Sequence, residues 1–194
     1  LATVPDDGAP PYQAGIAYSL RTQGYLNQRW GHYPLGLSQL LKALALFEAQ
    51  ELVNGLPDVF DGIAGIYGQM GMYPEALDAT YKQLEAAERI GDIQRIANAI
   101  NNLASIFMET GDYEPAMVKL HHNLDLAAEI SYARMKCISN LNLAEINRLI
   151  GDYGKAREYA IAGLGSSQRA GFELFEVYSL EILGKLAAQS GDQL

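Results

Sequence analysis

A Gly-x-Tyr tripeptide returns every forty residues along this chain, as Gly31-His32-Tyr33, Gly71-Met72-Tyr73, Gly111-Asp112-Tyr113 and Gly151-Asp152-Tyr153. Gly191-Asp192 opens a fifth copy without the tyrosine, and no insertion disturbs the period. Other columns keep step. A small residue follows each tyrosine by three (Gly36, Ala76, Ala116, Ala156), and Leu44, Leu84, Leu124 and Leu164 come later. Ile63, Leu103, Leu143 and Leu183, with Ala64, Ala104, Ala144 and Gly184, precede the next turn. A repeat of this length is one supersecondary unit that buries its apolar face only against its neighbours.

Each copy reads as two helices. Leu77, Leu84 and Ala87, then Ile96, Ile100, Leu103 and Ile106, fall at spacings of three, four and seven. Pro34, Pro57 and Pro74 sit in first turns, where a missing N–H costs nothing, and Pro115 lies one residue further in. Gly31, Gly71, Gly111 and Gly151 stand where a left-handed residue ends a helix. The spacing predicts helices near 12–29, 34–50, 57–70, 74–90, 92–109, 114–130, 132–149, 154–170 and 172–189, with no strand. Short connections make neighbours antiparallel. The expected architecture is an all-α solenoid of about nine helices: an irregular lead-in over 1–11, then a single array over 12–194 with truncated copies at both ends.

The stretches DGIAGIYGQMGMYPEAL (61–77), NNLASIFMETGDYEPAM (101–117) and LNLAEINRLIGDYGKAR (141–157) resemble the tetratricopeptide repeat. The likeness covers 12–194 and implies a right-handed superhelix of stacked helix pairs. The common repeat has about 34 residues, and six more lengthen the helix pair by about 9 Å. Similar forty-residue versions occur in Pins-type adaptors, bacterial peptide-pheromone receptors and MalT-like regulators. The family's early Trp column holds Phe60, Ile100, Asn140 and Leu180 here, and its late Pro is absent.

Several function classes fall away on composition. The single cysteine, Cys137, cannot build a disulfide framework or a Cys-based zinc site, and favours a reducing, cytoplasmic setting. The net charge of −9 opposes a nucleic-acid backbone, and no apolar run approaches a membrane span. The three histidines, His32 and the adjacent His121-His122, form no dyad, and His121 with Asp125 reads as a solvated pair rather than a metal site. Gly163-Leu164-Gly165 lacks the Lys-Ser/Thr and the preceding strand of a phosphate loop and reads as locally weakened helix. No cofactor, metal or catalytic group is expected.

Gly62, Gly65, Gly68 and Gly71 recur every three residues on one helix, an arrangement costing up to about 1 kcal/mol per interior position. Close helix packing at Gly62 and a groove held open at Gly65 and Gly68 both account for it. The turn tyrosines read as wedges between helices rather than as a recognition stripe.

In the family resembled, the first helix of each pair lines the concave face. Projecting that face selects Tyr18, Arg21, Tyr25 and Arg29; Asp58, Asp61 and Gln69; Asn98, Asn101, Ser105 and Glu109; Glu145 and Arg148; Tyr178, Glu181 and Lys185. Amides such as Asn98 and Asn101 offer donor and acceptor to an extended peptide backbone. Ile138, Leu141 and Leu149 add an apolar section. The Lys/Asn carboxylate clamp of chaperone-tail receptors has no match, since the corresponding pairs read Arg21/Tyr25, Asn101/Ser105 and Leu141/Glu145.

These readings converge on a non-enzymatic scaffold that holds a protein or peptide segment, as the sensory or regulatory module of a larger bacterial signalling protein or transcription regulator. The alternative is a dimerisation module that pairs through an uncapped apolar end carrying Leu180, Leu183 and Leu186.

Overall fold

A computed structural model describes residues 10–190. Among them are nine α-helices and no strand: α1 (Pro10–Arg29), α2 (Tyr33–Ala49), α3 (Leu56–Gln69), α4 (Tyr73–Ile90), α5 (Ile93–Thr110), α6 (Tyr113–Glu129), α7 (Ala133–Leu149), α8 (Tyr153–Ala170) and α9 (Glu173–Ser190), with a 3-10 turn at Val53–Gly55. The fold is an all-α helical repeat. Helix α1 begins at Pro10, two residues before the expected start, and the rest of the lead-in lies outside the described residues, as does Gly191-Asp192.

The turn chemistry is more regular than the forty-residue period suggests. A residue with positive φ ends a helix every twenty positions: Gly31, Gly71, Gly91, Gly111, Gly151 and Gly171, with Glu51 (φ 53°) and Ser131 (φ 55°) completing the series. At each, two backbone N–H groups return to the final helical turn, as where Gly91 N donates to Glu88 O at 3.0 Å and Asp92 N to Ala87 O at 3.2 Å. This is the Schellman arrangement, which satisfies carbonyls that a helix end leaves unpaired.

The helices form two compact units, divided between Arg95 and Ile96. In the first, Leu40, Ala43 and Phe47 of α2 pack with Val59, Ile63 and Ile66 of α3, Ala17 of α1 and Ala79 of α4. Burying each of these larger side chains contributes roughly 1.5–3 kcal/mol. The small column is small because helices approach closely there: a Cβ on Gly36 would lie 3.0 Å from the backbone oxygen of Gly24.

The second unit repeats this scheme. Leu120 of α6 packs with Leu143 and Ile146 of α7, and Ala156 and Ala160 of α8 pack with Ile182 and Leu186 of α9. Asn140, the departure in the early Trp column, is 4% exposed and donates to the carbonyl of Lys136 at 2.8 Å. Tyr33 and Tyr113 pack half-buried against the cores, Tyr73 is half-buried, and Tyr153 stays 42% exposed.

The Gly163-Leu164-Gly165 stretch is helical, as expected, and a Cβ at Gly163 would come within 3.3 Å of Ser179 Oγ, so this glycine also marks close packing. Two expectations are corrected. The space beside Gly65 is filled by the Gln28 amide, leaving only Gly68 open, while a Cβ on Gly62 would meet Leu40 at 2.9 Å. Leu186, expected on an uncapped face, is 1% exposed because it belongs to the α8/α9 core.

Candidate functional site

In the first unit the projected stripe closes on itself. Arg21 Nη1 donates to Asp58 Oδ2 at 2.8 Å. Arg95, in the first turn of α5, grips the same carboxylate with two donors, Nε to Oδ1 at 3.0 Å and Nη2 to Oδ2 at 3.1 Å, while Nη1 reaches Asp92. The Tyr25 hydroxyl donates to the Asp58 carbonyl and lies 3.1 Å from Asp61 Oδ2, and Gln83 donates to the other oxygen of Asp61. Arg21 also lies over the Tyr18 ring, 5.1 Å from its centroid, and that ring stands edge-on to Phe47. Arg29 is exposed on the last turn of α1.

The electrostatics follow from these contacts. The hydrogen bond to Asp58 holds the Arg95 guanidinium above its ordinary pKa. Burial first, and the Asp61 charge second, push the Tyr25 phenol far up, so it remains a protonated donor. Arg21 is therefore matched within the fold, which sets it apart from a cation waiting for a ligand.

The second unit is more open. Asn98 Oδ1 accepts from the Tyr132 hydroxyl at 3.4 Å and Asn101 Oδ1 from Asn142 Nδ2 at 3.3 Å, with Ser105 half-buried beyond them. Arg148 forms a two-donor bridge to Glu145, at 2.9 and 2.6 Å. That hydrogen bonding holds the Glu145 carboxyl below the usual range.

Between α7 and α9 lies a cleft of about 320 Å³. Its apolar lining comes from Ile138, Leu141, Phe175 and Ile182, and its polar lining from Asn142, Glu145, Tyr178, Glu181 and Lys185. Glu145, Tyr178 and Lys185 of the projected stripe thus share one concavity. Lys185 Nζ bridges Glu181 at 2.7 Å. Leu141 is 8% exposed, while Leu149 is 48% exposed and outside the lining.

Among the described residues, no three His, Cys, Asp or Glu side chains are placed to hold a metal ion. His121, expected to pair with Asp125, meets Tyr159 instead. No described helix is long and apolar enough to cross a membrane.

No family model and no curated protein matches the chain in sequence. Among solved structures it is similar to BtubC from P. vanneervenii, with TM-score 0.76 and 20% identity over 95% of this chain and 76% of that one. It is also similar to a signal transduction ATPase with numerous domains, from Pyrococcus horikoshii, that carries a tetratricopeptide repeat sensor. That match has TM-score 0.76 and 17% identity and covers 91% of this chain and 30% of the archaeal protein. The fold is a tetratricopeptide-like helical repeat.

Within this tetratricopeptide-like frame, two of the residues that projection missed have a common origin. Arg95 and Phe175 occupy one column, eighty residues apart, and each sits three residues before a stripe member, Asn98 or Tyr178. Extending the tetratricopeptide-like stripe one helical turn toward the N-terminus of each first helix recovers both. Gln83 belongs to a second helix, α4, which the projection leaves out altogether.

Proposed function

We propose that the chain is a non-enzymatic, cytoplasmic recognition module that holds a protein or peptide segment in the cleft between α7 and α9. The observation that carries this reading is the meeting of Glu145, Tyr178 and Lys185 around an apolar floor. Apolar lining supplies affinity and a few polar groups fix register, the usual division of labour in a binding cleft. The sensor role of the tetratricopeptide repeat in the Pyrococcus horikoshii neighbour supports placing such a module in a larger signalling protein or regulator, by analogy of fold.

A peptide library selected on the wild-type chain tests this, with the bound sequences re-measured on a Tyr178→Ala/Lys185→Glu variant whose helicity is checked by circular dichroism. Affinity falling about tenfold or more supports the reading, and unchanged affinity overturns it.

A second reading is self-association through α9, favoured by the exposure of Leu174, Val177 and Leu180 at 60%, 58% and 55%. Light scattering at rising concentration decides it, since a monomer throughout removes it.

A further inference from the structure

Ala79 and Tyr159 occupy the same column, eighty residues apart, yet the two units use the space beside them differently. In the second unit Tyr159 packs against the cluster built on Leu120, Leu143 and Ile146, which Leu124 also joins. Its hydroxyl lies 3.5 Å from His121 Nε2, with the two rings 5.9 Å apart.

In the first unit Ala79 stops at its Cβ, and a cleft of about 430 Å³ lies between α2 and α4. The cleft is lined by Leu41, Leu44 and Ile63, the counterparts of His121, Leu124 and Leu143, together with Phe60 and Tyr67. The walls that hold an aromatic ring in one unit thus stand around an open space in the other. Leu41 in place of His121 makes the far wall apolar. An adjoining cleft of about 160 Å³ shares Phe60 and Lys82 with the first, so chain on either side of an inserted ring has room to run along α4.

The rim is acidic in balance. Lys82 is bridged to Asp78 at 2.7 Å, and Glu75 adds a further negative charge, on a chain whose net charge is −9. We infer that the α2/α4 cleft receives an aromatic side chain of a peptide partner, seated where Tyr159 sits in the second unit, with a positive charge of that peptide facing Glu75. The inference is independent of the α7/α9 cleft, which uses other residues.

The test is chemical-shift mapping of the full chain with two probes, 4-methylphenol and the peptide acetyl-Lys-Tyr-Lys-amide. Expected are shifts at Leu44, Phe60, Ile63 and Tyr67 with both probes, and an affinity for the peptide about tenfold higher than for the phenol. Ala79→Tyr, which fills the cleft as Tyr159 fills its counterpart, abolishes both. If that variant loses its helical signal, Leu41→Trp, at a 46% exposed wall, closes the same space and is held to the same outcome. Glu75→Lys weakens the peptide about threefold or more and leaves the phenol unchanged. Absence of shifts at the cleft, or shifts that survive its filling, overturns the proposal. A peptide no tighter than the phenol overturns a peptide as the occupant, and cleft shifts that grow with protein concentration without a probe assign it to a second copy and also overturn it.

Discussion

Arg21 and Arg95 share one carboxylate, that of Asp58, which stands thirty-seven residues after the first and thirty-seven before the second. Side chains from three helices are thereby tied at a single acidic group, about 29% exposed. Asp58→Ala leaves two guanidiniums without this acceptor and is expected to destabilise the chain by about 1–2 kcal/mol, read by urea denaturation. A double-mutant cycle with Arg21→Ala and Arg95→Ala assigns the larger share to Arg95, whose two donors fix its geometry.

Glu51 and Ser131 hold left-handed backbone that six glycines hold elsewhere in the series. The conformation strains a residue with a Cβ, and glycine relieves that strain while adding entropy to the unfolded chain. Glu51→Gly and Ser131→Gly are each expected to stabilise by about 0.5–1 kcal/mol. Thermal melts of the single and double variants check the values and their additivity.

Two helical glycines predict opposite responses to alanine. A Cβ on Gly62 would lie 2.9 Å from buried Leu40, whereas one on Gly184 meets nothing within 4 Å. Gly62→Ala is expected to cost about 1–3 kcal/mol by overpacking. Gly184→Ala should gain up to about 1 kcal/mol from helix propensity. Denaturation midpoints moving in the same direction would contradict this account.

Ser139 Oγ is fully buried and has no hydrogen-bond partner among the described residues. Removing a hydroxyl that has lost water without gaining a partner relieves a penalty, so Ser139→Ala is expected to raise stability by about 1 kcal/mol. Calorimetry of the purified variant reads the shift directly.

Glu145 carries a pH dependence whose sign follows from its contact with Arg148. A carboxyl held below its unfolded pKa contributes stability that is complete above the ordinary value of 4.5 and is lost as pH falls through the depressed folded value. Glu145→Gln is expected to flatten the acid limb of the stability curve. Carbon-detected NMR titration of the Glu145 carboxyl should show its midpoint below 4.5 in the wild type and back near it in Arg148→Ala.

Helix positions were legible in the sequence because the columns Gly36/Ala76/Ala116/Ala156 and Ile63/Leu103/Leu143/Leu183 repeat packing demands that each copy meets the same way. The twenty-residue turn series was only half legible. Glu51 and Ser131 break the glycine pattern, and their left-handed geometry is imposed by the flanking helices rather than by local preference. The stripe showed which helix faces carry polar groups. It could not show that Arg21 is matched by Asp58 or that Gln28 fills the space beside Gly65, because these contacts depend on distances between helices.

The uniform twenty-residue spacing of the helix ends limits how this chain changes over evolutionary time. One residue inserted into a helix rotates everything after it by about 100°, turning core positions outward. Gains and losses in whole forty-residue blocks keep every later face in phase. The lineage is thus expected to vary by duplicating or deleting entire helix pairs and by substituting surface residues, while small insertions and deletions are purged.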